Sequence, residues 1–439
     1  MTLHTSLPLR TIVVGGGVAG LASAAYLARG GAHVALFEKA DSLGGRASTD
    51  RPSGFALNRG AHALYSGGAA SSVLGELDVH YSSGTPNRIL TRDARGFKAY
   101  PASALGLLRT DVLSAADKRE LIGVFLRLGM LKPERVAHQS VADWIATSAQ
   151  RPRVRQLLAS TARVSLYSTA LDLASADTFL ARFQQTLKHP VHYVDGGWQS
   201  LVDGLRDAAR TAGVDIQTGA SVETIRVDNG RATGVRLYDG REVPADAVIV
   251  AAPPDEALRV LPGGAAPRLE QAVGASVPVY VACLGLALRA LPSPQHAVVF
   301  DLEKPRFMTV QSRFAKLAPT GGAVLHAFLQ MDPREPADPH QARAELEAFV
   351  DEAQPGWQAL TIERRFLPRL QASGALPLAR LGGLAGRTKH RSQDIDNLYF
   401  AGDWVGPEGY LVDASLASAR ASALQLLEVE AVGPALQAA

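Results

Sequence analysis

The chain has few of the residues that mark secreted, metal-binding or nucleic-acid-binding proteins. Cys283 is the single cysteine among 439 residues, which excludes an intramolecular disulfide and a thiolate metal cluster. Aromatic residues make up only 6% of the chain, and no basic block is interleaved with them, so nucleic acid is not an expected partner. The histidines show no metal-ligand spacing, and no metal is expected. This composition suits a reducing compartment, and we expect the protein in the cytoplasm.

Long hydrophobic runs are also scarce. The first ten residues, MTLHTSLPLR, have too little apolar length for a signal peptide. Residues 272–288 are uncharged, but they are few for a membrane span and include Gly274, Pro278 and Gly285. We therefore predict a buried strand at 277–288 rather than a transmembrane helix. Contact with a membrane surface stays open, so the protein is expected to be cytoplasmic with a membrane-associated state as an alternative.

The overall composition is that of a globular protein. Hydrophobic residues make up 47% and charged residues 20% of the chain, and 45 basic against 42 acidic residues leave a formal charge of +3. This is enough apolar material for a sizeable core, and the length predicts two or three domains.

Residues 11–39 combine a strand, a glycine-rich turn, a helix and a second strand. Gly15, Gly17 and Gly20 give the spacing G-x-G-x-x-G at the turn. Gly15 permits the tight turn, Gly17 lets a pyrophosphate reach the backbone, and Gly20 lets the helix pack close to the strand. The helix N-terminus offers unpaired N–H groups to phosphate. Glu38, at the end of the second strand, can accept hydrogen bonds from a ribose, so the segment predicts dinucleotide binding. An ordinary glycine-rich βαβ turn is the alternative, and it does not account for Glu38.

Two further motifs identify the dinucleotide. Leu43-Gly44-Gly45-Arg46 follows the second strand, and a strand at Leu398–Ala401 ends at Gly402-Asp403. The combination of G-x-G-x-x-G, a distal Glu, L-G-G-R and the C-terminal G-D resembles the flavoprotein superfamily of amine oxidases, phytoene desaturases and protoporphyrinogen oxidases. The resemblance implies that the L-G-G-R loop packs against the pyrophosphate and flavin, and that Asp403 binds the ribityl or pyrophosphate part of FAD.

The resemblance therefore implies non-covalent FAD, since the C-terminal motif has no cysteine. It also places the backbone beyond Asp403 at one edge of the flavin, and residues around 222 at the adenine. The implied FAD-binding residues are Gly15, Gly17, Val18, Ala19, Gly20, Glu38, Lys39, Gly44, Gly45, Arg46, Gly60, Ala61, His62, Val222, Gly402, Asp403, Leu411 and Val412. A second G-x-G-x-x-G in a strand–turn–helix context is missing, so a separate NAD(P) site is not expected. Electrons would leave to O2, a quinone or a carrier.

The implied fold class is α/β, with a Rossmann-like FAD-binding domain of the GR2 type and a discontinuous α+β substrate domain. The FAD-binding domain is predicted at 1–80, 192–258 and 385–439, and the substrate-binding domain at 81–191 and 259–384. Local patterns agree with this layout. Residues 103–190 are predicted to be a helical insertion, with capping boxes at Ser114 and Ser140, and residues 275–330 are predicted to be rich in strands.

Two residues are candidates for catalysis. His62, in Asn58-Arg59-Gly60-Ala61-His62, is a proton acceptor, an orienting donor or merely a polar residue that closes a loop. Tyr410 lies in Gly409–Ala414, which resembles the amine oxidase stretch G-Y-M-E-G-A, whose Tyr forms one wall of an aromatic cage for an amine. Pro407 replaces the second cage aromatic here, and Asp413 replaces a small glycine. Tyr410 is therefore expected on the substrate side of the flavin, and a complete amine cage is not.

Other polar residues are expected to have structural roles. Lys304 is expected to be a surface lysine rather than the lysine that many amine oxidases place near the flavin. Cys283 is expected to be a buried thiol in a strand, and Trp404 to pack against FAD. Gln311–Phe314 could line the pocket from a strand.

These features predict an FAD-dependent oxidoreductase that transfers hydride from a substrate C–H bond to flavin N5, as a desaturase, dehydrogenase or oxidase. The weak match to the amine cage and the uncharged core segments favour an apolar small-molecule substrate. An amine or amino-acid oxidase that releases H2O2 is the first alternative, and a redox-neutral isomerase is the second. A non-enzymatic binding protein like the Rab GDP-dissociation inhibitors, which resemble this fold, is the third.

Overall fold

The computed structural model describes residues 8–60 and 62–432. Its strands are β1 (Arg10–Val14), β2 (His33–Phe37), β3 (Thr49–Asp50), β4 (Leu57–Asn58), β5 (Leu64–Tyr65), β6 (Ser83–Gly84), β7 (Leu90–Asp93), β8 (Gly96–Ala99), β9 (Val191–Val194), β10 (Asp215–Gln217), β11 (Val222–Asp228), β12 (Arg231–Leu237), β13 (Glu242–Pro244), β14 (Ala247–Val250), β15 (Val279–Leu288), β16 (Val298–Asp301), β17 (Arg306–Thr309), β18 (Ala323–Gln330), β19 (Thr361–Ser373) and β20 (Leu398–Phe400). Its α-helices are α1 (Val18–Arg29), α2 (Ala69–Glu76), α3 (Ala104–Arg109), α4 (Ala115–Met130), α5 (Val141–Ser148), α6 (Pro152–Leu166), α7 (Ala176–Lys188), α8 (Gln199–Thr211), α9 (Pro254–Arg259), α10 (Pro267–Ala275), α11 (Pro339–Ala353) and α12 (Val412–Val432).

A five-stranded parallel sheet carries the dinucleotide motif. Its order is β10-β2-β1-β14-β20, so strands from three distant parts of the chain lie side by side. The register pairs Ile12 with Ala35 on one side and with Val248 on the other. The edge strand β10 is polar and partly exposed, whereas β14 and β20 are apolar and fully buried, as expected where both faces of a parallel sheet are covered. α1, α8 and α12 pack on one face, and the antiparallel meander β11-β12-β13 lies towards the other.

A second sheet of seven strands has the order β19-β15-β18-β17-β16-β7-β8. Its pairs are antiparallel except for β16 with β7. β15 is the buried strand predicted near 277–288, and it pairs with β19 from Val279 to Leu288 and with β18 from Val281 to Leu288. α11 packs against one face of the sheet. The other face presents a mostly aromatic and aliphatic cluster that includes Cys283 and Phe328.

The helical insertion is formed by α3 to α7, as predicted. At the start of α4, Ser114 and Asp117 form a complete capping box, with both reciprocal hydrogen bonds. At the start of α5, the Ser140 hydroxyl accepts from the Asp143 N–H at 3.0 Å but donates to the Asp143 carboxylate at 2.7 Å. The cap at Ser140 is therefore present in a different form from the predicted box.

The predicted α/β fold class is confirmed, and tight turns around residues 229 and 240 connect β11, β12 and β13. Strands of the parallel sheet come from residues 10–37, 215–250 and 398–400. The exact domain boundaries stay a prediction. Within residues 8–60 and 62–432, no helix has both the length and the apolar character needed to cross a bilayer.

Candidate functional site

The glycine turn after β1 brings backbone to the mouth of a cavity. Gly15 has φ +110°, and a Cβ there would lie 2.5 Å from the Ala251 carbonyl oxygen. A Cβ on Gly20 would lie 1.8 Å from the Gly15 carbonyl oxygen, so this glycine allows helix and strand to touch. A Cβ on Gly17 would meet only the Gly44 oxygen, at 4.0 Å. Space therefore remains where a phosphate would approach the N-terminus of α1.

The N-terminus of α1 also lacks the capping groups that other helices of the protein have. No side chain caps it, and its first turn has no acidic residue, whereas α4 and α7 have serine caps. Its first N–H groups are therefore available to an anion. Gly15, Gly17, Val18 and Ala19 line the cavity here, and Gly20 lies behind them.

Glu38 and Lys39 line the cavity at the end of β2. The Glu38 carboxylate accepts hydrogen bonds from the Gly16 N–H at 2.6 Å and the Ala40 N–H at 2.8 Å. It thus fixes the glycine turn while part of it faces the cavity. Lys39 forms an ion pair with Glu256 at 3.0 Å, which holds its chain along the rim.

Two motifs that are distant in sequence meet at one ion pair. Arg46 Nη1 lies 2.7 Å from Asp403 Oδ2, and Nη2 lies 3.0 Å from Oδ1. The Gly374 N–H also donates to Asp403 Oδ2 at 3.0 Å. Burial alone would raise the pKa of Asp403, but the Arg46 guanidinium and these hydrogen bonds hold the pKa of that carboxyl below its usual range. Gly44, Gly45, Arg46, Gly402 and Asp403 all line the cavity.

The loop after β4 places His62 in the same cavity with Gly60. His62 Nδ1 is 3.1 Å from the Gly60 carbonyl oxygen and donates to it. The imidazole packs on Trp198, with ring centroids 4.7 Å apart. Burial lowers the pKa of His62, so the ring is neutral at pH 7. Ala61, which was also assigned to FAD binding, lies outside the described residues.

Gln311 supports this loop. Its Nε2 donates to the His62 carbonyl oxygen at 2.7 Å, and its Oε1 accepts from Asn58 Nδ2 at 3.2 Å. The sequence prediction placed Gln311 in a strand that lines the pocket. It instead lies in a 3₁₀ turn, Gln311–Arg313, because β17 ends at Thr309 and the chain turns back to β18. Its amide positions the loop rather than the cavity wall.

The remaining predicted cofactor residues lie at the start of one strand and at the start of one helix. Val222 begins β11 and lines the cavity. Leu411 has φ +57°, and this left-handed residue turns the chain into α12, whose first residue is Val412. Leu411 and Val412 line the cavity as well. The N-terminus of α12 therefore faces the same space as the N-terminus of α1.

Tyr410 has a different position from the one its motif suggests. The tyrosines that line the described cavity are Tyr65 and Tyr167. Tyr410 is 1% exposed and packs in the core of the helical insertion. Its hydroxyl donates to the Leu166 carbonyl oxygen at 3.1 Å. The cage-wall role of Tyr410 therefore stays a prediction without support from the cavity lining.

Two other residues have the structural places that the sequence suggested. Lys304 lies at the surface, where its Nζ pairs with Glu345 at 2.9 Å. Trp404 is buried, and its Nε1 donates to the Ala252 carbonyl oxygen at 2.9 Å, but it is not among the residues that line the cavity, so its packing against FAD stays a prediction. Cys283 is buried in β15, as expected, and it also lines the cavity.

Sequence patterns missed several cavity residues. Arg182 comes from α7 in the helical insertion, and Val281, Phe328 and Leu370 come from one face of the seven-stranded sheet. The alternation of residues along β15 puts Val281 on the same face as Cys283, which is the one local signal for this surface. The position of Arg182 in the cavity could not be predicted from the sequence, because it depends on how α7 packs.

The cavity as a whole extends from the glycine turn to the face of the seven-stranded sheet, with a volume of about 460 Å³. This is within the usual size of a small-molecule site, about 300–1,000 Å³. Its first part offers two helix N-termini, Glu38 and the Arg46–Asp403 pair. Its far part is lined mainly by apolar and aromatic side chains. The donor set of the first part fits a dinucleotide, with the open space at Gly17 as the direct evidence.

Comparison with known proteins agrees with this arrangement. A family model described as flavin containing amine oxidoreductase matches residues 18–427. The 4,4'-diapolycopen-4-al dehydrogenase of Metabacillus indicus is 24% identical, over 91% of this chain and 94% of its own. The coproporphyrinogen III oxidase of Propionibacterium freudenreichii is 27% identical, over 78% and 76%. A solved oxidoreductase from Methanosarcina mazei superimposes with a TM-score of 0.77 at 19% identity, over 94% of this chain and 99% of its own, which shows a common fold.

Proposed function

Because this chain belongs to the flavin-containing amine oxidoreductase family, we propose that it binds FAD non-covalently and removes hydride from a C–H bond of an apolar organic substrate. The reaction class is that of a desaturase, dehydrogenase or oxidase. The flavin, when bound, supplies the hydride acceptor at N5. The chain itself binds and orients the substrate and excludes water. Family membership also favours an enzyme over a binding protein like the Rab GDP-dissociation inhibitors.

Residues of the first part of the cavity would hold the cofactor. The N-terminus of α1 would bind the pyrophosphate, and Glu38 the adenosine ribose. The N-terminus of α12 would face the flavin edge, where its dipole favours negative charge. Non-covalent binding is testable directly, since precipitation of the holoprotein with acid should release all of its flavin into the supernatant. Flavin that stays with the pellet would contradict this part of the proposal and point to Cys283, the one thiol in the cavity.

The proposed substrate class rests on one observation. The cavity continues from the cofactor residues to the sheet face formed by Val281, Cys283, Phe328 and Leu370. These side chains offer burial to an apolar molecule and few partners to a polar one. Two curated relatives are named for a diapolycopenal and for coproporphyrinogen III, which supports a large organic substrate, and the first of these names supports an apolar one.

An amine oxidase is the second candidate, favoured by the family description. Two features count against a cationic amine. Tyr410, the expected cage residue, is buried with its hydroxyl bonded to a carbonyl oxygen, and the Arg182 guanidinium lines the far part of the cavity. A buried cation there would repel a protonated amine. Release of H2O2 on addition of an amine would favour this candidate.

The deciding experiment is an absorbance spectrum of the purified protein before and after anaerobic mixing with three substrate classes. We expect flavin bands that survive dialysis and bleach with a carotenoid-like lipid or a porphyrinogen, and not with an amine. Bleaching by amines alone would replace the proposal with the second candidate. A protein that binds no flavin, even after incubation with FAD, would overturn it.

We further propose that the helical insertion touches a membrane surface, where an apolar substrate would be stored. Ile122, Leu126 and Met130 are spaced four residues apart on α4, so they form one exposed stripe, and Met130 is 81% exposed. Leu108 joins this stripe, since its carbonyl oxygen accepts from Lys118 Nζ at 2.8 Å. Leu187, near the end of α7, is also exposed.

The rim of this apolar stripe is rich in cations, which makes an anionic lipid surface the best partner. Among residues 108–148 and 187–188, the exposed basic residues are Arg109, Arg119, Arg127, Lys132, Arg135 and Lys188, whereas the exposed acids are Asp111, Glu134 and Asp143. The contacts between Gln184 Nε2 and the carbonyl oxygens of Leu128 and Leu131, at 2.7 and 2.8 Å, hold α7 against the end of α4. The apolar and basic side chains therefore belong to one continuous surface.

A further inference from the structure

We propose that the substrate carries a carboxylate and that Arg182 binds it through one free edge of its guanidinium group. This inference deepens the proposed function and rests on it, because the ligand would occupy the same cavity. It assigns the substrate class as an amphipathic acid with a large apolar body and an acidic end.

Arg182 is placed deep in the protein. It lies on α7 and is only 3% exposed, yet it lines the cavity with Tyr65 and Tyr167. Its guanidinium carbon lies 3.8 Å from the centroid of the Tyr65 ring and 5.7 Å from that of Tyr410. The stacked ring fixes the plane of the guanidinium, and the N–H groups along its edges remain available to hydrogen-bond acceptors.

Those partners are few. Nη1 is 3.4 Å from the Tyr410 carbonyl oxygen and 3.9 Å from Asp413 Oδ2. Nε and Nη2 are buried and have no hydrogen-bond partner among the residues that the structure describes. Buried donors are almost always satisfied, and leaving them unpaired is costly, more so on a charged group. A missing partner at this position is therefore expected to come from a ligand.

The two unpaired atoms define what that ligand is. Nε–H and Nη2–H lie on the same side of a planar guanidinium and point in parallel. This is the edge that takes the two oxygens of a carboxylate in a bidentate pair. A hydroxyl or a single carbonyl oxygen would satisfy only one of the two donors. The geometry thus favours a carboxylate over a neutral alcohol, aldehyde or ester.

The local charge agrees with an anionic ligand. Asp413 is the acid nearest to Arg182, but its Oδ1 accepts from the Ala70 N–H at 2.9 Å and its Oδ2 from Gln185 Nε2 at 3.5 Å. Its closest approach to the guanidinium is 3.9 Å, and this contact is on Nη1, so Asp413 does not pair with the Nε–Nη2 edge. That edge therefore stays unpaired at this end of an otherwise mostly apolar cavity, and a carboxylate would pair with it.

The test uses a matched pair of isoprenoid probes, all-trans-retinoate and its methyl ester, which differ in the carboxylate charge. Each is titrated into the oxidised holoenzyme without oxygen, and binding is followed by tryptophan quenching and by the flavin spectrum. We expect the acid to bind about 10- to 100-fold more tightly than the ester, as for hydrogen bonds to a charged group. Arg182→Met should bring the two affinities within about threefold, and Arg182→Lys should keep part of the difference.

Arg163→Met is the matched control. Arg163 is another partly buried arginine of the helical insertion, with Nη2 bonded to the Leu302 carbonyl oxygen at 3.3 Å, and its loss should leave the acid-to-ester ratio unchanged. Equal binding of acid and ester by the wild-type holoenzyme would overturn the proposal, and this comparison needs no variant to fold. An acid-to-ester affinity ratio that is unchanged in folded, flavin-loaded Arg182→Met would also overturn it. If that variant keeps the ratio but shifts the flavin potential, the free edge of Arg182 would be assigned to the flavin instead. Failure of the proposed function is distinct, since it would appear as a protein without flavin.

Discussion

Arg46 and Asp403 form a bidentate ion pair that joins the loop after β2 to the end of β20, across 357 positions of the chain. Asp403 is 2% exposed, and it has a third partner in the Gly374 N–H. The two sequence motifs most characteristic of the cofactor site therefore stabilise each other directly. The stability of the folded site therefore depends on the ionised form of Asp403.

Asp403→Asn should destabilise the protein and change its response to acid. Removal of one partner of a buried pair costs about 3–5 kcal/mol, and because Arg46 is partly exposed we expect about 2 kcal/mol at pH 7. The pKa of Asp403 is lowered in the folded state, so the wild-type contribution is full above about pH 4 and is lost as pH falls through the folded pKa. Urea unfolding at pH 7 and at about pH 3, below the unfolded pKa of Asp, measures both effects.

The control for this pair is Glu223→Gln. Glu223 pairs with Arg236 at 2.7 Å, with both side chains well exposed, and exposed pairs contribute little. Its unfolding curve at pH 7 should match the wild type. If Asp403→Asn also matches the wild type at both pH values, the ion pair has no role in stability.

Gly17→Ala and Gly20→Ala should separate cofactor binding from folding. The Cβ at Gly17 has open space, so the apoprotein should keep its stability, while FAD affinity falls about tenfold or more because the phosphate can no longer approach the backbone. The Cβ at Gly20 would collide with the Gly15 carbonyl oxygen, and overpacking of this kind costs about 1–3 kcal/mol. Flavin fluorescence titration and apoprotein melting measure the two properties. Loss of stability in Gly17→Ala would contradict this division.

His62 should determine the acid limb of activity if it accepts a proton. Burial lowers its pKa below 6.5, so the neutral base is present at pH 7 and is lost only at lower pH. We expect kcat/KM to fall below an apparent pKa lower than 6.5, and the limb to disappear in His62→Gln. The profile is measured with whichever substrate bleaches the flavin.

His326→Gln is the companion of that experiment. Burial lowers the pKa of His326 to about 4, and its Nε2 lies 3.2 Å from the Asn58 carbonyl oxygen, away from the cavity lining. The acid limb should persist in this variant. Both histidines bind protons more readily in the unfolded chain, so stability falls as pH drops below about 6.5, and the rates must be taken where the protein remains folded. An unchanged limb in His62→Gln would leave His62 as a loop residue.

Tyr410→Phe tests the cage role directly. The hydroxyl is bonded to the Leu166 carbonyl oxygen, so we expect a loss of about 1 kcal/mol in unfolding free energy and turnover within about twofold of the wild type. Tyr65→Leu removes a ring that lines the cavity and stacks on Arg182, and it should reduce turnover at least tenfold. The opposite order of effects would restore Tyr410 to the substrate side of the flavin.

The exposed stripe of α4 should determine binding to anionic vesicles. Leu126→Glu places a charge at a position that is 67% exposed, so the fold should persist while association with vesicles of phosphatidylglycerol is lost. Leu424→Glu on α12, 44% exposed, is the matched control and should associate as the wild type does. Co-sedimentation with anionic and with neutral vesicles gives the comparison. Equal association of both variants would contradict the membrane surface.

The sequence by itself determined the parts of the site that depend on local backbone. Gly15, Gly17 and Gly20 with Glu38 define the turn, because their roles follow from spacing within one βαβ unit. The strands that precede Gly15 and Gly402 were likewise indicated by the local sequence. The family resemblance added the cofactor and placed Asp403 beside it.

The tertiary structure decided what lies opposite those motifs. The tilted ring contact of His62 with Trp198 and the pairing of Arg46 with Asp403 each join residues more than 100 positions apart. The free edge of Arg182 likewise depends on where α7 packs. The sequence patterns around Tyr410 suggested a cavity wall, but the packing of α6 against this segment turned its hydroxyl to Leu166. Such contacts depend on how helices and sheets dock, which local spacing does not encode, and for that reason the substrate end of the cavity could be described only from the folded chain.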